Sequence, residues 1–435
     1  RPVTFSRFAD ASSHRTPVGF SGDTIISWDS LRFQPRFTAT AANIGYFWWS
    51  NDIGGHMLGG SDDTMAARWF QLGCFSPINR LHSSNSGFTS KEPWRYSRDA
   101  RATMEAHLRL RHQLVPYLYT WARRSASEGI APVRPVYHDH PRELASYEHR
   151  GSFYFGDLLV VPFTSRLDEA TGLGRELTWL PDGVWYDLPT GRRYEATTGG
   201  RGRMLSLSRP LDRIGVLARA GSVIPLAGNL TEAAGDNPRE LEIVVVPGSS
   251  GSFTLEEDDG SAQPGQDQIA RTHMALTWPE AEEEDGADVV LRIRLEGAAE
   301  VVPASRLVTV RLLAGQVAGA WLGVGERARR LATEEVSGDG FTLGAGTLVH
   351  LEELSRQELI DGVQLVLRGT KHSPADWRDE VHAILDAARV EYMAKDLAWD
   401  AVQRGLSGTA LLGELEALGL PEALRAAVAE VLPHS

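Results

Sequence analysis

Four short apolar runs in the first eighty residues each give way to a polar or charged side chain. Residues 2–6 lead to Arg7, 17–20 to Asp23 through Ser21-Gly22, 43–49 to Asp52, and 74–78 to Arg80 and His82. In a parallel αβ barrel, reactive groups project from the C-terminal strand ends, where neighbouring loops converge. One such residue would carry little meaning, because an aspartate after a glycine is an ordinary turn residue. Four in succession, with Trp28, Trp48 and Trp49 close by in sequence, describe a pocket of carboxylate, guanidinium, imidazole and aromatic faces. Such a pocket suits a neutral polyhydroxylated ligand such as a sugar. Hydroxyls take paired donors and acceptors, and the apolar face of a sugar ring packs on an aromatic ring. The competing reading of each residue is structural. Arg7 and Asp52 could form a rim ion pair, His82 alone would more often be a core histidine, and the tryptophans are packing residues by default.

The elements that must hold these residues alternate. Residues 62–72 carry acidic residues at their start and Met65, Trp69 and Leu72 at helical spacing. Residues 100–124 read as one longer amphipathic helix kinked at Pro116. Strand and helix in alternation argue for a parallel sheet covered by helices. The fourth strand is the least secure because of Pro77. From residue 151 the pattern turns to strands and tight turns, with a second strand-rich block from about 241 to 368, which suits two small β-sandwiches. The final segment is helical. Ser373-Pro374 followed by Asp376 reads as a cap with proline at N1, Gly405 and Gly419 as stops, and Pro421 as the opening of a last helix.

Composition narrows the function class. The 435 residues carry 44 basic and 57 acidic side chains, a net charge of −13, which excludes a non-specific grip on nucleic acid or anionic lipid. Only Lys91, Lys371 and Lys395 are lysines, a skew that reads as coding bias rather than phosphate binding. The single cysteine, Cys74, excludes intrachain disulfides and multi-thiolate zinc sites. No run of 18 apolar residues occurs, so no spanning helix is expected. The Glu256–Asp259 run lacks the spacing of an EF-hand loop. The acidic cluster at 280–288 reads as a solvated loop.

At the strand ends the sequence becomes familiar. Ser6-Arg7-Phe8-Ala9, Ser13-His14-Arg15 and Gly19-Phe20-Ser21-Gly22-Asp23-Thr24 with Trp28 resemble glycoside hydrolase family 31, the retaining α-glucosidases and α-xylosidases. Asn51-Asp52-Ile53-Gly54-Gly55-His56-Met57, Arg68-Trp69-Phe70-Gln71-Leu72-Gly73 and Phe75-Ser76-Pro77-Ile78-Asn79-Arg80-Leu81-His82 continue the likeness. So do Pro116-Tyr117-Leu118-Tyr119, Trp185-Tyr186-Asp187, Gly221-Ser222-Val223-Ile224-Pro225 and the run from Phe253 to Gly260, so that it extends to about residue 262. The resemblance implies the C-terminal half of a (β/α)8 TIM barrel in residues 1–150, comprising barrel strands 5–8. A proximal β-sandwich would follow in 151–228, a distal one in 229–370, and a helical tail in 371–435.

It also implies roles. Asp23 falls on the general acid/base, Arg7 and His82 on hydroxyl-binding positions around the sugar, and Asp52 and Arg80 on supporting charges. Phe20 falls on an aromatic wall, while His56 stands where many members carry Phe. No metal or organic cofactor is implied, and the only partner implied besides an oligosaccharide is the rest of the barrel. The family nucleophile, an Asp in a W-x-D-x-N-E stretch, has no counterpart in the 435 residues. The expectation is therefore a partial chain of a retaining α-glycosidase of gluco-oligosaccharides, inactive by itself, with its nucleophile in a missing N-terminal half and a cytoplasmic location. Three alternatives stand beside it: an α-transglucosylase, an α-xylosidase, and a non-catalytic carbohydrate-binding remnant.

Overall fold

A computed structural model of the chain describes residues 4–7, 10–16, 18–261, 265–279, 287–323, 325, 328–373 and 375–433. Three short parallel strands open it: β1 (Phe5–Ser6), β2 (Val18–Phe20) and β3 (Trp48–Ser50), in that order. Gly19 is where β2 has no room for a side chain. A Cβ there would lie 1.4 Å from the Tyr46 hydroxyl, which donates to the Ser6 carbonyl at 2.9 Å and so ties the sheet from beneath.

Helix α1 (Trp28–Thr40) follows β2, and α2 (Asp63–Cys74) follows β3. Each has a side-chain cap. Ser27 Oγ accepts from the Ser30 amide at 3.1 Å, and Asp62 Oδ1 accepts from the Met65 amide at 2.9 Å. Asp62 Oδ2 also accepts from the Trp28 indole at 2.9 Å, so one carboxylate fixes the start of α2 against the start of α1.

The expected fourth strand differs. Cys74 ends α2 instead of opening a strand, and only single parallel bridges, Ser50 to Ile78 and Ile53 to Leu81, extend the sheet. Pro77 has no amide to sustain a ladder. The carbonyls of Cys74, Ser76 and Pro77 accept instead from the Arg111 guanidinium at 2.9, 2.5 and 2.9 Å. The long helix also differs: it is two helices, α3 (Arg98–Gln113) and α4 (Val115–Glu128), joined at Leu114. Pro116 sits in the first turn of α4, where its missing N–H costs nothing.

Beyond α4 the chain is mostly sheet. A six-stranded sheet takes Val133–Pro135, Phe153–Phe155, Leu158–Val161, Gly215–Arg219, Val184–Asp187 and Arg193–Glu195, with the antiparallel pair of Gly174–Leu180 and Arg203–Arg209 apart from it. Val223–Ala227 pairs with Glu240–Val245 and so belongs to the next sheet. That five-stranded sheet and a longer one running from Gly251–Glu257 to Arg329–Leu331 enclose a core of Val244, Leu255, Met274, Ile293, Val310 and Leu365.

The tail is four helices, Trp377–Ala387, Tyr392–Gln403, Gly408–Ala417 and Glu422–Val431, with their own apolar centre at Leu385, Val402, Leu415 and Leu424. Asp376, not Ser373, caps the first, its Oδ1 accepting from the Arg378 amide at 2.9 Å, and Pro374 and most of the 280–288 cluster lie outside the described residues. Gly405 and Gly419 follow their helices with φ of +89° and +71°, a conformation glycine adopts freely. No described helix is long and apolar enough to cross a membrane.

Candidate active site

The three strands deliver their polar residues to one end. Arg7 follows β1, and the turn after β2 carries Asp23. Gly22 in that turn has φ of +78°, and a Cβ on it would stand 2.8 Å from the Arg7 Nε. Glycine therefore allows the Arg7 side chain to lie over the turn, which brings its guanidinium to 4.0 Å from Asp23 Oδ2. Asp23 keeps about a third of its side chain exposed, and Arg7 about half.

Asp52, just past β3, is fully buried and fully engaged. Its Oδ1 accepts from Arg80 at 2.6 Å and its Oδ2 from the Thr24 amide at 3.2 Å. Arg80 also donates through Nε to Ser50 Oγ at 3.0 Å, and its guanidinium lies 5.1 Å from the Phe20 ring centre and 5.5 Å from that of Phe5. Phe5 and Phe20 stack at 5.1 Å. Phe20 thus braces Arg80, Arg80 neutralises Asp52, and Asp52 anchors the backbone next to Asp23. A buried carboxylate without that partner would be costly.

His56 completes the cluster, and sequence reasoning did not place it there. Its Nε2 is 3.9 Å from Asp23 Oδ1, and its ring stacks on His82 with centroids 4.5 Å apart. Its backbone is pinned on both sides, the amide donating to the Thr24 carbonyl at 2.7 Å and the carbonyl accepting from Ser84 at 2.9 Å. The Gly54-Gly55 turn before it runs at φ of +87° and +76°. The buried Lys91 holds that turn, its Nζ donating to the Gly54 carbonyl at 2.9 Å. The available signal was a histidine directly after a glycine pair at a strand end.

Burial, and then the neighbouring Arg80, lowers the His82 pKa below its ordinary value, which favours the neutral imidazole. One donor atom each from Asp23, Asp52, His56 and His82 lies within 4.8 Å of the others. All six sequence-chosen residues, Arg7, Phe20, Asp23, Asp52, Arg80 and His82, therefore belong to one neighbourhood. A separate cleft of about 440 Å³, lined by Tyr117, Asp157, Trp185 and Arg219, shares none of them.

A three-stranded parallel sheet with polar strand ends and helices after its second and third strands, followed by β-sheet domains, matches part of a TIM-barrel protein with C-terminal sheet domains. Residues 1–121 match the TIM-barrel domain of glycosyl hydrolases family 31, and residues 129–224 match the family's C-terminal domain. The chain belongs to glycoside hydrolase family 31. It is 31% identical to an α-xylosidase of Saccharolobus solfataricus over 65% of this chain and 37% of that protein. It is 27% identical to lysosomal α-glucosidase of Bos taurus over 60% of this chain and 29% of the other. It thus spans about a third of the length of these relatives. Among solved structures, an α-xylosidase of Xanthomonas citri superposes with a TM-score of 0.60 at 27% identity, covering 71% of this chain and 33% of that one. A dextranase of Flavobacterium johnsoniae superposes with a TM-score of 0.65 at 20% identity, covering 80% and 44%, a likeness of fold.

Proposed function

We propose that this chain is the acid/base-bearing part of a retaining α-glycosidase acting on α-linked gluco-oligosaccharides. The observation that carries the reading is the setting of Asp23. It is a water-accessible carboxylate at the end of a parallel strand, with Arg7 and His56 within 4.0 Å, inside the segment that matches the family's barrel.

In this reading the three-stranded sheet is the C-terminal half of the barrel, and a second carboxylate from a segment outside these 435 residues attacks the anomeric carbon. Asp23 protonates the departing oxygen, then takes a proton from water as the covalent intermediate is released. Retention requires the two carboxyl groups to lie about 5–5.5 Å apart. Arg7 and His82 hold sugar hydroxyls, Arg80 and Asp52 keep the wall rigid, and Phe20 supports them from the apolar side. Preorganised donors of this kind act most strongly where charge develops in the transition state.

The test is the anomeric configuration of the first product formed by a protein carrying this chain and a complete barrel, followed by NMR on maltose. The α-anomer appearing first supports retention, and the β-anomer appearing first rejects it. A second reading is an α-xylosidase, favoured by the 31% identity to such an enzyme. A kcat/KM on an α-xyloside above that on the matching α-glucoside would select it.

A further inference from the structure

We propose that Asp23, His56 and His82 form a binding site for a borderline divalent cation such as Zn2+, and that an ion bound there closes the pocket to sugar. The donor set is two imidazoles and one carboxylate, with the fourth position left to water. That is a combination zinc accepts in open, three-ligand sites. Asp52, the remaining carboxylate of the cluster, is spent on Arg80 and the Thr24 amide, and serves as an outer wall rather than a ligand.

The geometry is close to what an ion needs. Donor atoms on a tetrahedral zinc at 2.0–2.1 Å stand about 3.3 Å from one another. His56 Nε2 and Asp23 Oδ1 are 3.9 Å apart, so that pair must close by roughly half an ångström, and the His82 donor, within 4.8 Å of both, by at most about 1.5 Å. Asp23, a third exposed, is free to make such a shift at its outer end. The two rings lie 4.5 Å apart with their planes 28° from parallel, so their in-plane lone pairs converge on one ion only after a ring turns, while the His56 backbone is fixed by Thr24 and Ser84.

The His56 ring is not yet oriented by the outer hydrogen bond that a metal-bound histidine normally has, so it is free to turn. Its Nδ1 is buried and has no hydrogen-bond partner among the described residues, so nothing on that side commits the ring to one tautomer. Either nitrogen is thereby available after a ring flip. Two guanidiniums face the site and oppose a cation. Arg80 is neutralised by Asp52, and Arg7 is half exposed and screened by water.

The site itself does not depend on the proposed reaction; only its consequence, inhibition, rests on that reading. The experiment is a Co2+ titration of the untagged 435-residue chain, watched by visible absorption, with Zn2+ as displacer. Expected are d–d bands saturating near one equivalent, erased by Zn2+. Affinity should fall at least about tenfold in H56F, H82F and D23N, the lower end of what even outer-sphere changes cost a metal site. It should be unchanged in H350A, which removes an exposed histidine elsewhere. Circular dichroism identifies any variant that fails to fold, and the remaining two then carry the comparison. No saturable Co2+ binding up to millimolar concentration, or equal affinity in the folded variants and the parent chain, overturns the site. Binding without any glycosidase activity in the complete-barrel protein would leave the site standing and reject the function.

Discussion

Each residue of the pocket has a separable duty, and Arg7 is the most easily questioned. Its guanidinium reaches Asp23 at 4.0 Å across a glycine turn. A planar fork can hold a hydroxyl and a carboxylate together, whereas lysine offers a point charge. Arg7→Lys in a complete-barrel protein is expected to lower kcat as well as raise KM, because the hydroxyl contact strengthens as the oxocarbenium-like centre forms. Steady-state kinetics on maltose check this, and an unchanged kcat/KM would return Arg7 to a rim ion pair. Asp52 is of another kind. Asp52→Asn leaves Arg80, a quarter exposed, without its counter-charge, for which up to about 3 kcal/mol of stability, the low end for breaking a buried pair, is the expected loss. Chemical denaturation measures it, and a loss under about 1 kcal/mol would mean that Arg80 finds another partner.

At the scale of elements, the sheet depends on Gly19. Gly19→Ala places a methyl 1.4 Å from the Tyr46 hydroxyl, so β2 and the segment that leads into β3 must part. Overpacking of this kind costs about 1–3 kcal/mol, and Tyr46→Leu in the same chain should recover part of the loss by removing both the hydroxyl and the ring carbon, which lie 1.4 and 2.1 Å from the methyl. Thermal unfolding of the single and double variants tests this; equal Tm values would refute it. These elements also show what the sequence could and could not disclose. The neighbourhood was legible because four successive apolar runs lead to charged or imidazole side chains, a run of coincidences that one ordinary turn aspartate does not make. The fourth strand was not, since Cys74 to Ile78 is equally apolar as a helix end and as a strand, and Arg111, more than thirty residues away, takes the carbonyls. His56 was noticed as an oddity and not as a neighbour of Asp23. Its nearness depends on the Lys91 hold on Gly54, a contact that no local pattern encodes.

At the scale of the whole molecule, the helical tail is bolted back to the first of the sheet regions, around residues 192–209. Glu430, buried on the last helix, accepts from Arg209 at 2.6 Å, Arg192 at 3.1 Å, Tyr194 at 2.7 Å and the Ser208 amide at 2.6 Å. Burial alone would raise the pKa of its carboxyl, but Arg209 and Arg192 outweigh burial and the value is lowered. A carboxyl with a depressed folded pKa stabilises fully above its unfolded value of about 4.3, and that contribution fades as the pH falls through the folded one. Glu430→Gln is therefore expected to lower Tm near neutral pH, with the gap to the parent chain narrowing as the pH drops below about 4. A gap that widens on acidification would contradict the lock. The pocket lies in the other part of the chain, and the central claim, that Asp23 is the acid and base of a retaining enzyme, has its most direct test there. In a complete-barrel protein, kcat/KM of Asp23→Ala is compared on maltose and on an activated aryl α-glucoside, with and without azide. An aryl group leaves with little protonation, so maltose turnover should fall far more steeply, by up to about 10²–10⁴-fold for loss of the acid. Azide should release the stalled intermediate as the α-glycosyl azide. Equal losses on both substrates with no azide product would remove Asp23 from the role.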